Sequence, residues 1–312
     1  MGKAALLFPG QGSQYVGMGR TLADAYPAAR LVFETADQAL GFPISRLCLE
    51  GSEEELKLTE NTQPALLTVS IAAFTVLREV GIRPDYVAGH SLGEYSALVA
   101  AGSLRFTDAL RLVRKRGRYM QEAVPAGQGA MAALLKLPAG RLNEILEQAA
   151  QGEIVTPANL NAPDQVVIAG HAGAVNRAME LAKAAGARRA VLLAVSAPFH
   201  CPLMKPAQQR MAPELADTLF DDLDWPLINN WQAHEVRTAA EARLGLIEQI
   251  PNTVRWEESI RYLAAQGVNR FFEVGPGGVL TGLLRSIDPA LQGFKFGEAS
   301  DVDKLNVAAA SN

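Results

Sequence analysis

The feature that most constrains the fold of this chain is a Gly-x-Ser-x-Gly pattern centred on Ser91. A short apolar run at residues 86–88 precedes the pattern, and a stretch of helical composition follows it. Gly89 and Gly93 let backbone segments approach each other where a Cβ atom would clash. A serine on a sharp turn between a strand and a helix has an exposed hydroxyl, and the helix N-terminus beside it favours negative charge. The pattern therefore predicts a nucleophilic serine at the end of a strand.

Strand-like and helix-like segments alternate over most of the chain, which predicts an α/β fold whose mostly parallel sheet is covered by helices on both faces. Residues 127–196 instead follow the order strand, helix, strand, strand, helix, strand, which is typical of a ferredoxin-like unit. We therefore expect a hydrolase-like catalytic domain formed by residues 1–126 and 197–312, with residues 127–196 inserted as a small ferredoxin-like α+β subdomain. Within the catalytic domain, the pattern predicts one helix over residues 201–219.

Composition excludes several classes of function. Of the 312 residues 49% are apolar and 20% are charged, as in ordinary globular proteins, and the net charge of −4 gives no support for nucleic-acid binding. Cys48 and Cys201 are the two cysteines, so we expect no disulfide framework, no CxxC metal site and a cytoplasmic location. The apolar runs are too short for a secretory signal or a membrane span. We expect a monomer without a membrane partner.

A nucleophilic serine needs a base, and one of the four histidines stands out. His200 follows the end of a strand and opens a helix, which is where α/β folds assemble their sites. His90 adjoins Ser91 on a tight turn, so its ring should point away from the seryl oxygen. His171 lies in a turn of the small subdomain, and His234 lies in a polar stretch that we expect at the surface. His200 is therefore the predicted base.

No acid between Ser91 and His200 is an obvious third member of a catalytic triad. Asp108 and Asp164 are exposed candidates, but both are explained as a helix cap and a turn residue. A backbone or amide carbonyl can orient the imidazole equally well, because that hydrogen bond fixes the tautomer without a charge. The sequence thus favours a Ser–His dyad.

Several ordered motifs carry a family resemblance. They are Phe-Pro-Gly-Gln-Gly-Ser-Gln at 8–14, Gly-His-Ser-Leu-Gly-Glu-Tyr-Ser-Ala-Leu at 89–98, Gln-Val-Val-Ile-Ala-Gly at 165–170, Pro-Phe-His-Cys-Pro-Leu-Met at 198–204 and Glu-Val-Gly-Pro-Gly-Gly-Val-Leu at 273–280. With these motifs the chain resembles the malonyl-CoA:acyl carrier protein transacylases, which are acyltransferases of fatty-acid and polyketide synthesis. The resemblance runs nearly from end to end.

The resemblance implies a role for each site residue. Ser91 would form an O-malonyl ester, with His200 taking its proton and returning it to the departing thiolate. The backbone N–H groups of Gln11 and Leu92 would form the oxyanion hole. The main-chain carbonyl of Gln249 would orient the histidine, which agrees with the absence of a triad acid.

The resemblance also implies residues that select the acyl group. Arg116 matches the family arginine that holds the malonyl carboxylate, to which a guanidinium offers two parallel donors. Phe199 resembles the malonyl-selecting form of its motif, and its bulk should crowd the branch of a methylmalonyl group. Met120 lies one helical turn beyond Arg116, so it either lines the acyl pocket or belongs to the core.

The implied activity is transfer of malonyl from malonyl-CoA to the phosphopantetheine thiol of an acyl carrier protein, with ping-pong kinetics and no permanently bound cofactor. Within the same chemistry, the sequence also allows a stand-alone acyltransferase of a polyketide synthase or the transacylase subunit of a malonate decarboxylase. A serine acyl-thioester hydrolase is an alternative of another class, and it predicts steady turnover by water without a thiol acceptor. A non-catalytic module that binds carrier proteins is disfavoured by the intact Ser91, His200 and Arg116.

Overall fold

The strands form two separate sheets in the computed structural model, which describes residues 2–195 and 197–304. In chain order the strands are β1 (Lys3–Phe8), β2 (Tyr86–Gly89), β3 (Gly129–Leu135), β4 (Val155–Ala162), β5 (Gln165–His171), β6 (Arg189–Leu192), β7 (Leu227–Ile228), β8 (Glu235–Val236), β9 (Val268–Val274) and β10 (Gln292–Phe296). The first sheet has the order β10-β9-β1-β2-β7-β8, and every neighbouring pair is parallel except β7 and β8. The predicted mostly parallel sheet is confirmed.

The second sheet has the order β4-β5-β3-β6 and is antiparallel throughout. One helix joins β3 to β4 and another joins β5 to β6, as the ferredoxin-like order predicts. Both helices pack on the sheet through a core of their own, which is mainly alanine, valine, leucine and isoleucine. The fold class is thus confirmed, whereas the domain boundaries at 126/127 and 196/197 stay a prediction, and Ser196 lies outside the described residues.

Helices cover both faces of the parallel sheet, and two further helices cover the second sheet. In chain order they are α1 (Arg20–Ala25), α2 (Pro27–Leu40), α3 (Ile44–Glu50), α4 (Glu53–Lys57), α5 (Thr59–Glu79), α6 (Gly93–Ala100), α7 (Phe106–Glu122), α8 (Leu142–Ala150), α9 (Ala172–Ala184), α10 (Lys205–Ala216), α11 (Ala239–Glu248), α12 (Trp256–Ala265) and α13 (Val279–Ile287). The helices α8 and α9 belong to the second sheet. Two large apolar clusters, one on each face of the parallel sheet, form the core between that sheet and the other helices.

The single helix predicted over residues 201–219 is wrong in its bounds. A short 3₁₀ turn, Pro202–Met204, comes first, and α10 then runs from Lys205 to Ala216. Pro206 has no N–H group, so it cannot donate the α-helical hydrogen bond to the carbonyl of Pro202. The chain therefore turns more tightly before α10 begins.

The parallel pairing of β1 with β2 brings two loops together. Phe8 at the end of β1 lies opposite Gly89 at the end of β2. The loop that carries Gln11 and the turn that carries Ser91 therefore meet at the carboxyl edge of the sheet, the usual ligand-binding edge of such folds.

The helices α5 and α7 pack closely against each other and bring a further side chain to this edge of the sheet. A Cβ atom on Gly117 would lie 2.6 Å from the backbone oxygen of Thr59, so only glycine allows this approach. The approach places Arg116 of α7 within 2.8 Å of the side chain of Gln63 on α5.

Gly93 is tightly packed against neighbouring backbone, and replacing it by alanine tests the crowding that the sequence predicts at the turn. A Cβ atom there would lie 2.0 Å from the backbone oxygen of Phe8. We expect Gly93→Ala to lower the free energy of unfolding by about 2–4 kcal/mol, measured by urea denaturation, because backbone cannot yield as a side-chain end can.

Gly282 provides the matched control, since it lies in α13 with no atom within 4 Å of an added Cβ. Gly282→Ala should leave stability unchanged or raise it by about 0.5–1 kcal/mol, through better helix propensity. Equal effects of the two substitutions would show that crowding at Gly93 does not constrain the turn.

Candidate active site

Ser91 lies on a strained turn between β2 and α6. Its φ angle is 52°, in the left-handed region that non-glycine residues rarely adopt. The side chain of Asn230 holds this turn, because its Oδ1 accepts from the Ser91 backbone N–H at 2.6 Å and its Nδ2 donates to the Gly89 carbonyl at 2.7 Å. Such strain is characteristic of functional sites where the surrounding structure fixes the backbone. The predicted strand–turn–helix context of the serine is thus present.

His200 approaches Ser91 from the segment before α10. Its Nε2 lies 2.7 Å from the Ser91 Oγ, and its Nδ1 lies 2.9 Å from the main-chain oxygen of Gln249. A carbonyl only accepts, so Nδ1 carries the proton of the neutral ring and Nε2 is left as the acceptor. The seryl O–H therefore donates to Nε2, which is the arrangement that general-base catalysis requires. The backbone of His200 is also in the left-handed region, with a φ of 57°.

The environment of His200 strongly favours its neutral form. Burial lowers the pKa of His200 to about 3, with the positive charge of Arg116 as the second cause, against the opposing effect of the hydrogen bond to Gln249. The ring is thus uncharged and ready to accept a proton across the physiological range.

A titration of the His200 imidazole by NMR tests this electrostatic effect. We expect the ring of the folded protein to stay neutral down to about pH 5, where an ordinary histidine is mostly protonated. Between pH values of about 3 and 6.5, the folded protein binds fewer protons at this group than the unfolded chain does. The contribution of His200 to the free energy of unfolding therefore decreases as the pH falls. The His200→Gln variant assigns the resonance. A midpoint close to 6.5 in the folded protein would contradict the account.

Arg116 is a buried cation in direct contact with the seryl oxygen. Its Nη2 donates to the Ser91 Oγ at 3.1 Å and to the Gln249 Oε1 at 2.7 Å, while its Nη1 donates to the Gln63 Oε1 at 2.8 Å. Its Nε has no hydrogen-bond partner, and the guanidinium of Arg116 forms no ion pair within residues 2–195 and 197–304. A buried guanidinium without a carboxylate partner is suited to bind an anionic group of a ligand.

The two predicted oxyanion donors lie on the loops that the sheet brings together. The backbone N–H groups of Gln11 and Leu92 donate no hydrogen bond to any other described residue. Leu92 is the residue before α6, so its N–H adds to the positive end of that helix, while its side chain is buried in the core.

A cavity of about 390 Å³ opens above Ser91. Phe199 and Met120, both predicted as pocket residues, line it, and so do Met131, Leu193 and Val195 from the second sheet and the segment after it. Met120 is also almost fully buried and belongs to the core cluster, while its role in an acyl pocket stays a prediction. Polar side chains, among them Lys57 and Asn159, share the walls with these apolar ones, and the side chains of His200 and Arg116 reach the seryl oxygen.

The remaining histidines lie outside the reacting centre. The Nε2 of His90 bonds to the Asn161 Oδ1 at 2.8 Å, so its ring points away from the seryl oxygen, as predicted. The turn predicted at His171 is wrong, because this residue is the last of β5, and its Nδ1 accepts a hydrogen bond from the backbone N–H of Ile154. His234 is exposed, as predicted.

Sequence reasoning missed three polar residues that support the site, namely Gln63, Glu94 and Asn230. Glu94 is fully buried, and its Oε2 accepts from the Asn230 backbone N–H at 3.0 Å and from the Gln249 Nε2 at 2.9 Å. Burial raises the pKa of Glu94 to about 7, against the opposing effects of Gln249, Asn230 and Arg116. The only signal in the sequence is the position of Glu94 inside the motif at 89–98.

Across residues 2–195 and 197–304, no three His, Cys, Asp or Glu side chains are grouped so that they could hold a metal ion. In the same part of the chain, every helix is too short or too polar to span a bilayer.

Comparison with known proteins places these features in a family. The sequence profile described as the acyl transferase domain matches residues 5–295. A malonyl CoA-acyl carrier protein transacylase of Bacillus subtilis (strain 168) is 49% identical over 304 residues, covering 97% of this chain and 96% of the relative. The protein of the same name from Escherichia coli (strain K12) is 48% identical over 301 residues, covering 96% of this chain and 97% of the relative.

Solved structures give the same result. The malonyl CoA-acyl carrier protein transacylase of Coxiella burnetii superimposes with a TM-score of 0.95 at 43% identity, covering 97% of this chain and 96% of that one. A complex described as a type II PKS acyl-carrier protein with its malonyl-transacylase also gives a TM-score of 0.95, at 45% identity, covering 97% of this chain and 98% of that one. These matches confirm the resemblance drawn from the sequence motifs. The chain belongs to the acyl transferase domain family.

Proposed function

We propose that this protein transfers a malonyl group from malonyl-CoA to the phosphopantetheine thiol of an acyl carrier protein, as a step of fatty-acid biosynthesis. The proposal rests mainly on one contact: the buried Arg116, which has no carboxylate partner among the described residues, donates a hydrogen bond to the Ser91 Oγ. The same oxygen is hydrogen-bonded to His200. A nucleophile that has a cation beside it suits an acyl group that has a negative charge of its own. The relatives named for this reaction support the choice of donor and acceptor.

In the first half-reaction, the Ser91 Oγ attacks the thioester carbonyl of malonyl-CoA while its proton passes to the His200 Nε2. The carbonyl oxygen becomes an oxyanion, for which the backbone N–H groups of Gln11 and Leu92 are the proposed donors. When the carbon–sulfur bond breaks, the proton on Nε2 goes to the leaving thiolate, and CoA departs as a thiol. The main-chain carbonyl of Gln249 keeps the imidazole oriented throughout.

Arg116 has the donors needed to hold the acyl carboxylate. Its Nε–H is free, and the Nη2–H that now donates to the Ser91 Oγ is released when that oxygen becomes an ester. These two groups form one side of the guanidinium and match a carboxylate bidentately. A bound carboxylate also offsets the positive charge that lowers the pKa of His200, so the charged acyl group makes the base stronger.

The second half-reaction is the reverse with a new thiol. The phosphopantetheine thiol gives its proton to His200 and attacks the serine ester, and the proton then returns to the Ser91 Oγ as the malonyl group leaves on the carrier. Serine and imidazole supply the nucleophile and the base, so the proposed reaction needs no bound cofactor. A cytoplasmic location and a monomeric state stay predictions.

Acyl transfer assays test this proposal against the alternatives. Malonyl-, acetyl- and methylmalonyl-CoA are offered with carrier proteins of fatty-acid and polyketide type, and also without any thiol acceptor. We expect malonyl transfer to dominate, with the ring of Phe199 disfavouring the methylmalonyl branch, and little release of free malonate. Steady release of malonate without an acceptor, as fast as transfer, would identify a hydrolase. Preference for a polyketide carrier would move the enzyme to that pathway.

A further inference from the structure

The carboxylate of Glu94 is fully buried on the first turn of α6, and the proposed reaction gives it no part. Both hydrogen bonds that it accepts go to one oxygen, Oε2, from the Asn230 backbone N–H and the Gln249 Nε2. Its Oε1 has no hydrogen-bond partner. Burying a carboxylate with an unpartnered oxygen costs folding free energy, which indicates that Glu94 has a function at this place.

The side-chain amide of Gln249 lies between Glu94 and Arg116. Its Nε2 donates to the Glu94 Oε2 at 2.9 Å and to the Ser91 main-chain oxygen at 3.0 Å, while its Oε1 accepts from the Arg116 Nη2 at 2.7 Å. The same residue offers its main-chain oxygen to His200. One glutamine thus contacts the nucleophile segment, the base and the arginine.

An amide has one end that donates and one that accepts, so it can take two orientations in such a gap. In the opposite orientation the Gln249 oxygen would face the carboxylate of Glu94, and its N–H groups would face the donors of Arg116. An acceptor would then face an acceptor at Glu94, and donors would face donors at Arg116. An ionised Glu94 accepts only, so it excludes the opposite orientation.

Glu94 also supplies negative charge near a cation that lacks an ion pair among the described residues. Burial lowers the pKa of Arg116, and the charges of Tyr95 and Glu94 oppose that effect. Direct contact with Glu94 would occupy the donors of Arg116. The intervening Gln249 leaves the Nε–H group unpartnered.

We propose that Glu94 is a positioning residue for recognition of the acyl carboxylate: it fixes the orientation of the Gln249 amide, which holds Arg116 with its free donors presented to the acyl group. This inference rests on the proposed function of Arg116. Glu94 touches neither substrate nor reacting atoms, and the hydrogen bonds that link it to Arg116 pass through Gln249.

The test compares kcat/KM for malonyl-CoA and acetyl-CoA in Glu94→Gln, at about pH 8, where a group whose pKa is about 7 is ionised. The substitution keeps the size of the side chain, but its amide can face either end of Gln249, so the contact with residue 94 no longer excludes the opposite orientation. We expect malonyl transfer to fall by about five- to tenfold, since a bond to a charged acceptor is worth more than a neutral one. Acetyl transfer should change by less than about twofold, because the acetyl group makes no use of Arg116.

A double-substitution cycle shows whether the effect passes through the arginine. In the Arg116→Ala background, Glu94→Gln should change malonyl transfer by less than about twofold. A full effect in that background, equal losses for malonyl and acetyl, or no loss at all would each overturn the inference. Should Glu94→Gln not fold, Glu94→Asp keeps the charge but withdraws it by one methylene, and it is judged by the same malonyl-to-acetyl comparison.

Glu273 is the matched control, because it is also a fully buried carboxylate with hydrogen bonds from the protein. It accepts from the backbone N–H groups of Leu280 and Thr281 at the start of α13. Glu273→Gln should lower the melting temperature while leaving the malonyl-to-acetyl ratio unchanged, and a changed ratio there would show that any buried carboxylate affects it. If the wild type transfers no malonyl group, the proposed function fails and this inference with it. If the wild type and Arg116→Ala behave as proposed while Glu94→Gln does not, only this inference fails.

Discussion

Replacement of His200 by alanine is expected to lower malonyl transfer by about 10⁴-fold or more, because the seryl hydroxyl loses the acceptor for its proton. The structure offers no second base in hydrogen-bond contact, since the only other group bonded to the Ser91 Oγ among the described residues is the Nη2 of Arg116, which is a donor. The measurement is single-turnover malonylation of the enzyme by malonyl-CoA, which separates the chemical step from product release.

His234→Ala is the control for this experiment. His234 is an exposed histidine of the same chain, so its loss should leave the rate within about twofold of the wild type. A His200→Ala enzyme that retains a tenth of the wild-type rate would mean that another group accepts the serine proton.

The second large effect is expected at Arg116, where Arg116→Ala should lower kcat/KM for malonyl-CoA by about 10²–10³-fold. Removal of one partner of a buried charge pair leaves the other charge without compensation, here the malonyl carboxylate. Acetyl-CoA has no such charge, so its transfer should change by less than about tenfold. The measurement is the ratio of the two kcat/KM values.

Arg118 provides the matched control, because it is an arginine of the same helix with its side chain exposed. Arg118→Ala should leave the malonyl-to-acetyl ratio unchanged. Equal losses of malonyl and acetyl transfer in Arg116→Ala would show that the arginine serves the reaction itself and does not read the carboxylate.

Much of the fold was predictable from the sequence because its signals are local. The apolar run before Gly89 and the glycines of the turn identify β2, the serine of the turn and the start of α6 without any knowledge of tertiary contacts. The alternation of strands and helices likewise predicts the parallel sheet. The strands β7 and β8, at one end of the sheet, have only two residues each, so they contain no periodicity from which a strand could be predicted.

The supporting residues of the site could not be predicted in the same way, because their roles depend on contacts across long stretches of chain. Arg116 lies in a basic helical segment whose other arginines are exposed or half-buried, and its burial follows from the approach of α7 to α5 at Gly117. Asn230 and Glu94 are 136 residues apart, and the sequence gives no sign that they meet. The absence of a triad acid was informative, since it pointed to a carbonyl partner for the imidazole.

The central claim is that Ser91 carries the acyl group as an ester, and intact-mass spectrometry of the protein mixed with malonyl-CoA tests it most directly. The account predicts one added malonyl group, located at Ser91 by peptide mapping and removed by addition of a holo acyl carrier protein. Ser91→Ala should show no added mass under the same conditions. A malonyl group on another residue, or one that persists in Ser91→Ala, would contradict the account.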